Sequence, residues 1–496
     1  MRSLTLDRLA RFLWGALLVS LPVTSFRYMP LMGAGTYVRP LALYPLGLLM
    51  LVLLGMLWKK QIPRPWPGIF SLLLVFVLIV GFSIAWGASF APVVLRGVSY
   101  WDRALRASIT VVIGSSFFVA AVWMNQDEDA LRFSVKWLLV GMVLQLLWGS
   151  IQAVGLNIGL RPYLNPIQQS FSVRGLVKNK RISGFAYEPS WLAGQLAAIY
   201  LPWLFASLLA RYRISRFRWL TYVLLLGGLA ALLLTYSRSG LFITVGALGL
   251  TLLLAGGEPL SAFWDWYRAG FSRNARVNRW NALQNVGSRI VLGLGAIGAL
   301  AAAAYLLADK GYIATFWNSA KGDLWSYAVD VYLGPRLAYA VAALNAYQQH
   351  PWTGVGLGAS GFYIYHHMPD WILYGVPEIA RQLSPNSGLY PNPKNMYIRL
   401  LAEAGLPGLI AYLTFLLSLF GYALSALRKA TPQARFLGMV GIFSLAAVAL
   451  QGISQDSFAL PDIWINLGIL AGLAGRWLES GNSTVEGAGS LDEEAL

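Results

Sequence analysis

The sequence predicts an all-α polytopic membrane protein with about twelve transmembrane helices and a large folded loop outside the cytoplasm. Of its 496 residues, 57% are hydrophobic and only 12% are charged, whereas soluble domains average about a quarter charged residues. Apolar segments recur along the chain, and two long segments rich in Trp, Tyr, Gly and Pro interrupt them. A bilayer can accept this amount of apolar surface, which a water-soluble fold of the same length could not bury.

The predicted spans are apolar runs close to the roughly 20 residues that cross the hydrocarbon core. They lie at residues 9–24, 41–58, 69–87, 107–123, 137–153, 190–210, 219–235, 240–255, 289–307, 396–420, 435–455 and 460–476. The first run follows three arginines but lacks a small-residue cleavage site, so we interpret it as an uncleaved helix. An even number of spans brings both termini to one side, and the short segments on that side hold most Lys and Arg residues. The positive-inside rule therefore predicts cytoplasmic termini.

The domain organisation follows from this topology. Residues 1–478 form the predicted transmembrane domain, and the acidic tail 479–496 is predicted to be a disordered cytoplasmic segment. The outer loops 154–189 and 308–395 are too long and too aromatic for unstructured linkers. The second contains a predicted amphipathic helix at 335–349, since Leu337, Ala340, Val341, Leu344 and Tyr347 recur at helical spacing.

Composition excludes several classes of chemistry. The absence of cysteine rules out disulfides, thiolate nucleophiles and Cys-ligated metals, and only three histidines are present, which argues against a His-rich metal site. We therefore expect no metal and no cofactor. The net charge of +17 could indicate nucleic acid in a soluble protein, but here we assign it to lipid head groups and an anionic substrate.

Three positions are candidates for a site on the outer face. Arg238 lies in Ser237-Arg238-Ser239-Gly240, at the tip of a helical hairpin too short to carry it far into water, where Ser239 could cap the next helix. Arg336 lies in the first turn of the loop helix, where a cation opposes the helix dipole unless an anion binds. Either arginine could instead reach solvent.

Glu188 is the third candidate, at the predicted membrane edge between Tyr187 and Trp191. Partial burial would raise its pKa towards that of a general base. The alternative is a carboxylate at a helix start, which the helix dipole favours.

Taken in order, these segments resemble the bacterial O-antigen polymerase and O-antigen ligase group of membrane glycosyltransferases. The resemblance covers roughly 180–410 and rests on three segments. They are Ser237-Arg238-Ser239-Gly240, then Arg336 followed by His350-Pro351-Trp352-Thr353-Gly354-Val355-Gly356-Leu357-Gly358, and finally Asn395-Met396-Tyr397-Ile398-Arg399-Leu400-Leu401-Ala402-Glu403-Ala404-Gly405-Leu406-Pro407-Gly408.

The resemblance implies a metal-independent, inverting glycosyltransferase with a GT-C-like fold and a glycan on undecaprenyl diphosphate as donor. The implied diphosphate ligands are Arg238 and Arg336, and we add Arg181. Ligases of the group carry a His, thought to activate the acceptor hydroxyl, at the position of Lys394. A Lys is a poor base unless it is desolvated, which favours Glu188 as the base. The candidate catalytic residues are therefore Glu188, Lys394 and Arg336. The expected substrate contacts are Ser239, Asn395, Tyr397 and Tyr187.

The sequence thus predicts polymerisation of lipid-linked repeat units into O-antigen or exopolysaccharide at the outer face of the bacterial inner membrane. Its partners would be the bilayer, the lipid-linked oligosaccharide and the flippase and chain-length regulator of the same pathway, with no nucleic acid. Two alternatives remain: a ligase that transfers the glycan to lipid A–core, and a flippase or other transporter that breaks no glycosidic bond.

Overall fold

A computed structural model describes residues 2–30, 37–59, 68–92, 94–177, 180–256, 258–269, 286–295, 297–298, 301, 333–368, 377–384 and 390–473. Over these residues the chain is almost wholly helical. The helices are α1 Arg2–Ser20, α2 Leu43–Trp58, α3 Gly68–Gly87, α4 Tyr100–Met124, α5 Glu128–Asn157, α6 Arg161–Phe171, α7 Pro189–Leu209, α8 Arg218–Leu234, α9 Arg238–Ala255, α10 Glu258–Ala269, α11 Val286–Gly295, α12 Gly334–Gln349, α13 Ser360–His366, α14 Pro377–Leu383, α15 Met396–Arg428, α16 Pro432–Gln451 and α17 Pro461–Leu473. A short antiparallel hairpin pairs β1 Val94–Leu95 with β2 Val98–Ser99.

Seven of the described helices are long and apolar enough to cross a membrane, namely α3, α4, α5, α7, α9, α15 and α16. Four shorter apolar helices, α2, α8, α11 and α17, accompany them. These findings confirm a helical polytopic membrane protein, while the total of about twelve spans stays a prediction. Residues 308–332 of the second outer loop and the tail 479–496 lie outside the described residues.

Aromatic side chains fill the centre of the bundle. The ring centroids of Phe118 on α4 and Phe415 on α15 are 5.2 Å apart, and Phe415 lies 6.2 Å from Trp464 on α17. Trp464 packs so closely on α4 that a Cβ at Gly114 would come within 2.4 Å of its ring nitrogen. Rings of this size contribute large buried areas, so this cluster holds the three helices together.

The most enclosed long helix is α7, with 83% of its apolar window buried. Its middle turn, Leu196–Tyr200, is a π-helix, which leaves backbone carbonyls without their usual amide partners. Asn466 on α17 replaces the missing amide partners, because its side-chain amide donates to the carbonyls of Ala198 at 2.8 Å and Ile199 at 3.0 Å. In the apolar interior of a membrane protein such groups need a partner within the protein.

The predicted helix at 335–349 corresponds to α12, but Ala340 alone of the five residues that the apolar pattern marked is buried. Ala338, Ala342, Ala346 and the ring of Tyr339 are buried, whereas Leu337 is 37% exposed. Small side chains permit close approach of neighbouring backbones, which explains why the alanine face packs inward.

Candidate active site

The helix α15 is interrupted near its N-terminal end. Gly405 has φ +67° and ψ −172°, a conformation outside the helical region, and Pro407 has no amide hydrogen to donate. In an uninterrupted helix, each amide would donate to the carbonyl four residues earlier. The break therefore leaves two carbonyls and the amide of Leu406 without helical partners.

The loop after α12 satisfies these groups. The amide of Val355 donates to the carbonyl of Ala402 at 2.9 Å, and the amide of Gly356 donates to the carbonyl of Glu403 at 3.0 Å. In the opposite direction, the amide of Leu406 donates to the carbonyl of Pro351 at 2.8 Å. The segment that begins at His350 and ends at Gly358 is therefore a loop that forms hydrogen bonds with the break in α15.

A buried ion pair lies beside this junction. Arg399 Nε donates to Glu403 Oε2 at 2.8 Å, with side chains only 11% and 2% exposed. Ser360 Oγ donates to the second carboxylate oxygen at 2.7 Å, and the Arg399 guanidinium also donates to the Asp456 carbonyl. Sequence reasoning assigned no role to this pair, although its i, i+4 spacing is typical of helical ion pairs. It ties α15 to the start of α13 and to the segment before α17.

Asn395 and Tyr397 have structural hydrogen bonds. Asn395 caps α15, since its Oδ1 accepts from the amides of Tyr397 at 3.0 Å and Ile398 at 3.1 Å, and its Nδ2 donates to the carbonyl of Ile453 at 3.1 Å. The Tyr397 hydroxyl donates to the carbonyl of Ala449 at 2.6 Å. Both side chains thus hold α15 against the C-terminal end of α16, and substrate contact through them stays a prediction.

Lys394 precedes this cap with a left-handed backbone, φ +53°. Its amide donates to Asp456 Oδ2 at 3.0 Å, and its Nζ lies 3.4 Å from Gln382 Oε1 and 4.7 Å from the Tyr339 ring centroid. Arg336 lies three residues before Tyr339 on α12 and is exposed. Residues at this spacing are neighbours on a helix, so Arg336 and the Lys394 amine lie in the same region.

The hairpin tip between α8 and α9 corrects one detail of the sequence interpretation. The cap of α9 is Ser237, whose Oγ accepts from the amide of Gly240 at 3.3 Å, and not Ser239. The Ser239 hydroxyl lies 3.2 Å from the Ser237 hydroxyl. Arg238 occupies the first position of α9 and is half-buried.

Arg181 lies at the same hairpin tip. Its Nε donates to the carbonyl of Thr235 at 2.8 Å, and the amide of Ile182 donates to the carbonyl of Leu234 at 3.2 Å. Arg181 therefore contacts the chain three residues before Arg238. The structure thus places Arg181 at the hairpin tip that carries Arg238.

Glu188 forms an ion pair that the sequence analysis did not anticipate. Its Oε2 accepts from Arg174 Nη1 at 2.8 Å, and its Oε1 accepts from Ser190 Oγ at 2.5 Å. The Arg174 guanidinium also lies 5.1 Å from the ring centroid of Tyr187, whose pKa is raised by burial. The carboxylate is thus held at the start of α7, with its side chain still 32% exposed.

The starts of α7, α9 and α15 meet around the C-terminal end of α16. A Cβ at Gly194 on α7 would lie 2.8 Å from the side-chain amide of Gln451 on α16. A Cβ at Gly240 on α9 would lie 2.4 Å from the Cβ of Ala193 on α7. Because these glycines allow such close packing, the groups around Arg238, Glu188 and Lys394 lie at one end of the bundle.

The comparison with protein families adds a match within this region. The family described as O-Antigen ligase (Wzy_C) matches residues 220–413, from the start of α8 to beyond the break in α15. No curated protein matches the chain. The matched residues include Arg238, Arg336 and Lys394 together with the inserted loop, and exclude Arg181 and Glu188.

Proposed function

Since the chain belongs to the O-antigen ligase and polymerase family, we propose that it polymerises lipid-linked glycan repeat units. The donor is a glycan on undecaprenyl diphosphate, and the acceptor is a sugar hydroxyl of a second lipid-linked unit. The reaction takes place at the outer face of the bacterial inner membrane, without a metal ion and with inversion at the anomeric carbon. The observation that carries the proposal is the contact of Arg181 Nε with the carbonyl of Thr235, three residues before Arg238 at the hairpin tip.

In this proposal, the arginines bind the diphosphate of the donor. Guanidinium groups present paired donors that fit phosphate oxygens and remain charged at any physiological pH. Arg181 and Arg238 contact the diphosphate from the hairpin side, and Arg336 contacts it from α12. Charge develops on the diphosphate as its bond to the sugar breaks, and preorganised cations stabilise that charge in place of a metal ion.

Glu188 is the proposed base. The acceptor hydroxyl oxygen attacks the anomeric carbon, the bond from that carbon to the diphosphate oxygen breaks, and the hydroxyl proton passes to the Glu188 carboxylate. The departing product is undecaprenyl diphosphate. The bonds from Arg174 and Ser190 orient the carboxylate at the start of α7. Lys394 is suited to a different role, because an ammonium group has three donors and no lone pair to accept a proton.

Aromatic rings beside Glu188 offer a surface for the acceptor sugar. The ring centroid of Tyr187 lies 5.2 Å from that of Tyr37 and 5.1 Å from that of Trp191. Tyr37 is 40% exposed, so part of this surface is open to solvent. Sugar rings present apolar C–H faces that pack on aromatic rings, which would hold the acceptor hydroxyl close to the base.

A ligase is the second candidate, because the matching family is described as O-Antigen ligase. It would use the same donor site and transfer the glycan to lipid A–core. The presence of Lys394 favours the polymerase, because ligases of this group carry a His at that position.

Product analysis separates the two candidates. Purified protein is supplied with lipid-linked repeat unit and lipid A–core together in EDTA. A polymerase yields a ladder of glycans that remain on undecaprenyl diphosphate, and mild acid releases them because the diphosphate link is labile. A ligase yields glycan on lipid A–core, and exclusive formation of that product would contradict the proposed polymerase.

A further inference from the structure

A cavity of about 100 Å³ lies between the end of α7, the start of α8 and the helix α10. Its volume exceeds that of a single water site several times over. The residues lining it are Ser207, Leu208, Arg211, Tyr212, Arg213, Ser215, Arg218, Thr221, Tyr222, Phe263 and Trp266. None of the groups in the proposed active site lines this cavity.

The cavity is separated from the proposed active site by the length of the helices. Glu188 precedes the first residue of α7, and the cavity lies at the last turns of that helix. Twenty-one residues of helix, Pro189–Leu209, rise about 30 Å. Along α8, Arg218 is likewise about 25 Å from the hairpin tip that carries Arg238. The two sites therefore lie at opposite ends of the bundle.

The polar side of the cavity attracts anions. Arg211, Arg213 and Arg218 line it, all three are exposed, and no lining residue is acidic. The nearby Glu128 accepts from the Tyr212 hydroxyl at 3.1 Å and is paired with Arg132 at 2.7 Å. Within the described parts of the chain, no carboxylate forms an ion pair with any of the three lining arginines.

The start of α8 adds to this positive field. Its capping position, Phe217, provides no side-chain hydrogen bond, and the first turn contains no acidic residue. The amides of an uncapped first turn carry partial positive charge that an anion stabilises. Arg218 occupies the first position of this helix, so the arginine and the helix terminus both favour an anionic ligand.

The other side of the cavity is apolar and aromatic. Leu208, Tyr222, Phe263 and Trp266 line it, and the last two come from the helix α10. Outside the cavity, Phe217 and Trp219 are 51% and 50% exposed at the start of α8. Exposed aromatic side chains at helix ends are typical of the membrane–water interface. The cavity therefore lies at the depth of lipid head groups.

We propose that this cavity binds the phosphate head group of an anionic phospholipid. The three arginines contact the phosphate, and the aromatic wall contacts the glycerol and the first acyl carbons. Free phosphate shares the charged part of this chemistry, but it has no apolar part for Phe263 and Trp266 to contact. Basic cavities between helices at the cytoplasmic side bind such head groups in other membrane proteins. The proposal is independent of the glycosyl-transfer reaction.

Native mass spectrometry of the full-length protein tests this assignment. The protein is titrated in neutral detergent with phosphatidylglycerol, phosphatidylcholine or inorganic phosphate. The test variant carries Arg211→Gln, Arg213→Gln and Arg218→Gln. The matched control carries Arg8→Gln, Arg216→Gln and Arg268→Gln, which remove the same charge from exposed arginines that do not line the cavity.

We expect wild type and control to retain one phosphatidylglycerol with at least tenfold higher affinity than the test variant. Equal retention by test variant and control would overturn the proposal, as would equal affinity for phosphatidylcholine. Inorganic phosphate that competes at the same concentration as the lipid would also overturn it, because the aromatic wall would then contribute nothing. A further variant with Arg211→Lys, Arg213→Lys and Arg218→Lys keeps the charge and controls for loss of folding. It should bind with intermediate affinity, and affinity no better than that of the Gln variant would contradict the charge argument.

Discussion

Replacing Glu403 by Gln removes one charge from the buried pair that holds α15 to the start of α13. The Arg399 guanidinium lies 2.8 Å from the carboxylate, and the side chains are 11% and 2% exposed, so solvent cannot compensate for the lost partner. Removing one member of a buried ion pair costs about 3–5 kcal/mol, because the other charge stays buried. The amide of Gln can still accept from Ser360, so the expected loss reflects the charge.

The free energy of unfolding is measurable in mixed micelles as the fraction of dodecyl sulfate rises, with tryptophan fluorescence as the signal. We expect Glu403→Gln to lose about 3–5 kcal/mol. Ser360→Ala is the matched control at the same contact and removes only a hydrogen bond, with an expected cost of about 1–3 kcal/mol. Because the two ions are coupled, Arg399→Gln combined with Glu403→Gln should cost less than the sum of the single changes.

Additive losses in this double-mutant cycle would refute the reasoning, since they would mean that the two side chains act independently. A cost of Glu403→Gln no larger than that of Ser360→Ala would refute it as well. Hydrogen exchange gives a second readout. The amides of Val355 and Gly356 should lose protection in Glu403→Gln, because they donate to carbonyls on the helix that this ion pair anchors.

Three further comparisons test the loop beside α15, the buried Asp456 carboxyl and the proposed base. Gly354→Ala should cost more stability than Gly97→Ala. Both glycines have positive φ, which costs about 1–2 kcal/mol for Ala, but only the Cβ at position 354 would clash, at 2.4 Å from backbone atoms. Equal thermal unfolding midpoints of the two variants would contradict this expectation. Burial raises the pKa of Asp456, so its folded form binds a proton more readily and stability should fall as pH rises from about 3.9 through the raised value. The Asp456→Asn variant should lack this slope in a pH series of unfolding midpoints. Arg174→Gln and Glu188→Gln remove the same half-exposed ion pair, worth about 0–1 kcal/mol, so both should fold normally. If Glu188 is the base, only Glu188→Gln should lose polymerisation by at least about a hundredfold, and equal activity in the two variants would exclude it.

The long apolar helices and the hairpin tip were predictable because each depends on a local property. Apolar length determines whether a segment can cross a bilayer, and a short hairpin places Arg238 at the first turn of α9 whatever the rest of the fold does. The capping serine was harder to predict, since Ser237 and Ser239 both lie near the turn. The choice between them depends on the backbone at Tyr236, where φ is +49°.

The buried pair and the inserted loop were not predictable in the same way. An Arg and a Glu at i, i+4 occur commonly on exposed helix faces, so the spacing of Arg399 and Glu403 does not reveal burial. Gly405 and Pro407 do signal a break in α15. The sequence could not show that a loop about fifty residues earlier would bond to that break, because this contact depends on how α12 and α13 pack.

The face of α12 illustrates a limit of apolar periodicity. The pattern marked Leu337 and Val341, whereas Ala338 and Ala342 are fully buried. Large apolar side chains can remain partly exposed where a membrane or another segment is near, while alanines are chosen for close packing of backbones. Periodicity therefore predicted the helix but not the direction in which it packs.

The central claim is that guanidinium groups at the outer face bind the donor diphosphate. The most direct test compares polymer formed by wild type, Arg238→Ala and Arg336→Ala from purified lipid-linked repeat unit in EDTA. Arg106→Ala serves as the control, since this exposed arginine is paired with Asp102 on the surface of α4. Removal of one preorganised charge at a transition state typically lowers the rate about 10²–10³-fold.

We predict a ladder of polymer from wild type and from Arg106→Ala in EDTA, and a loss of at least about a hundredfold in each of Arg238→Ala and Arg336→Ala. Undiminished polymer from both Arg238→Ala and Arg336→Ala would contradict it.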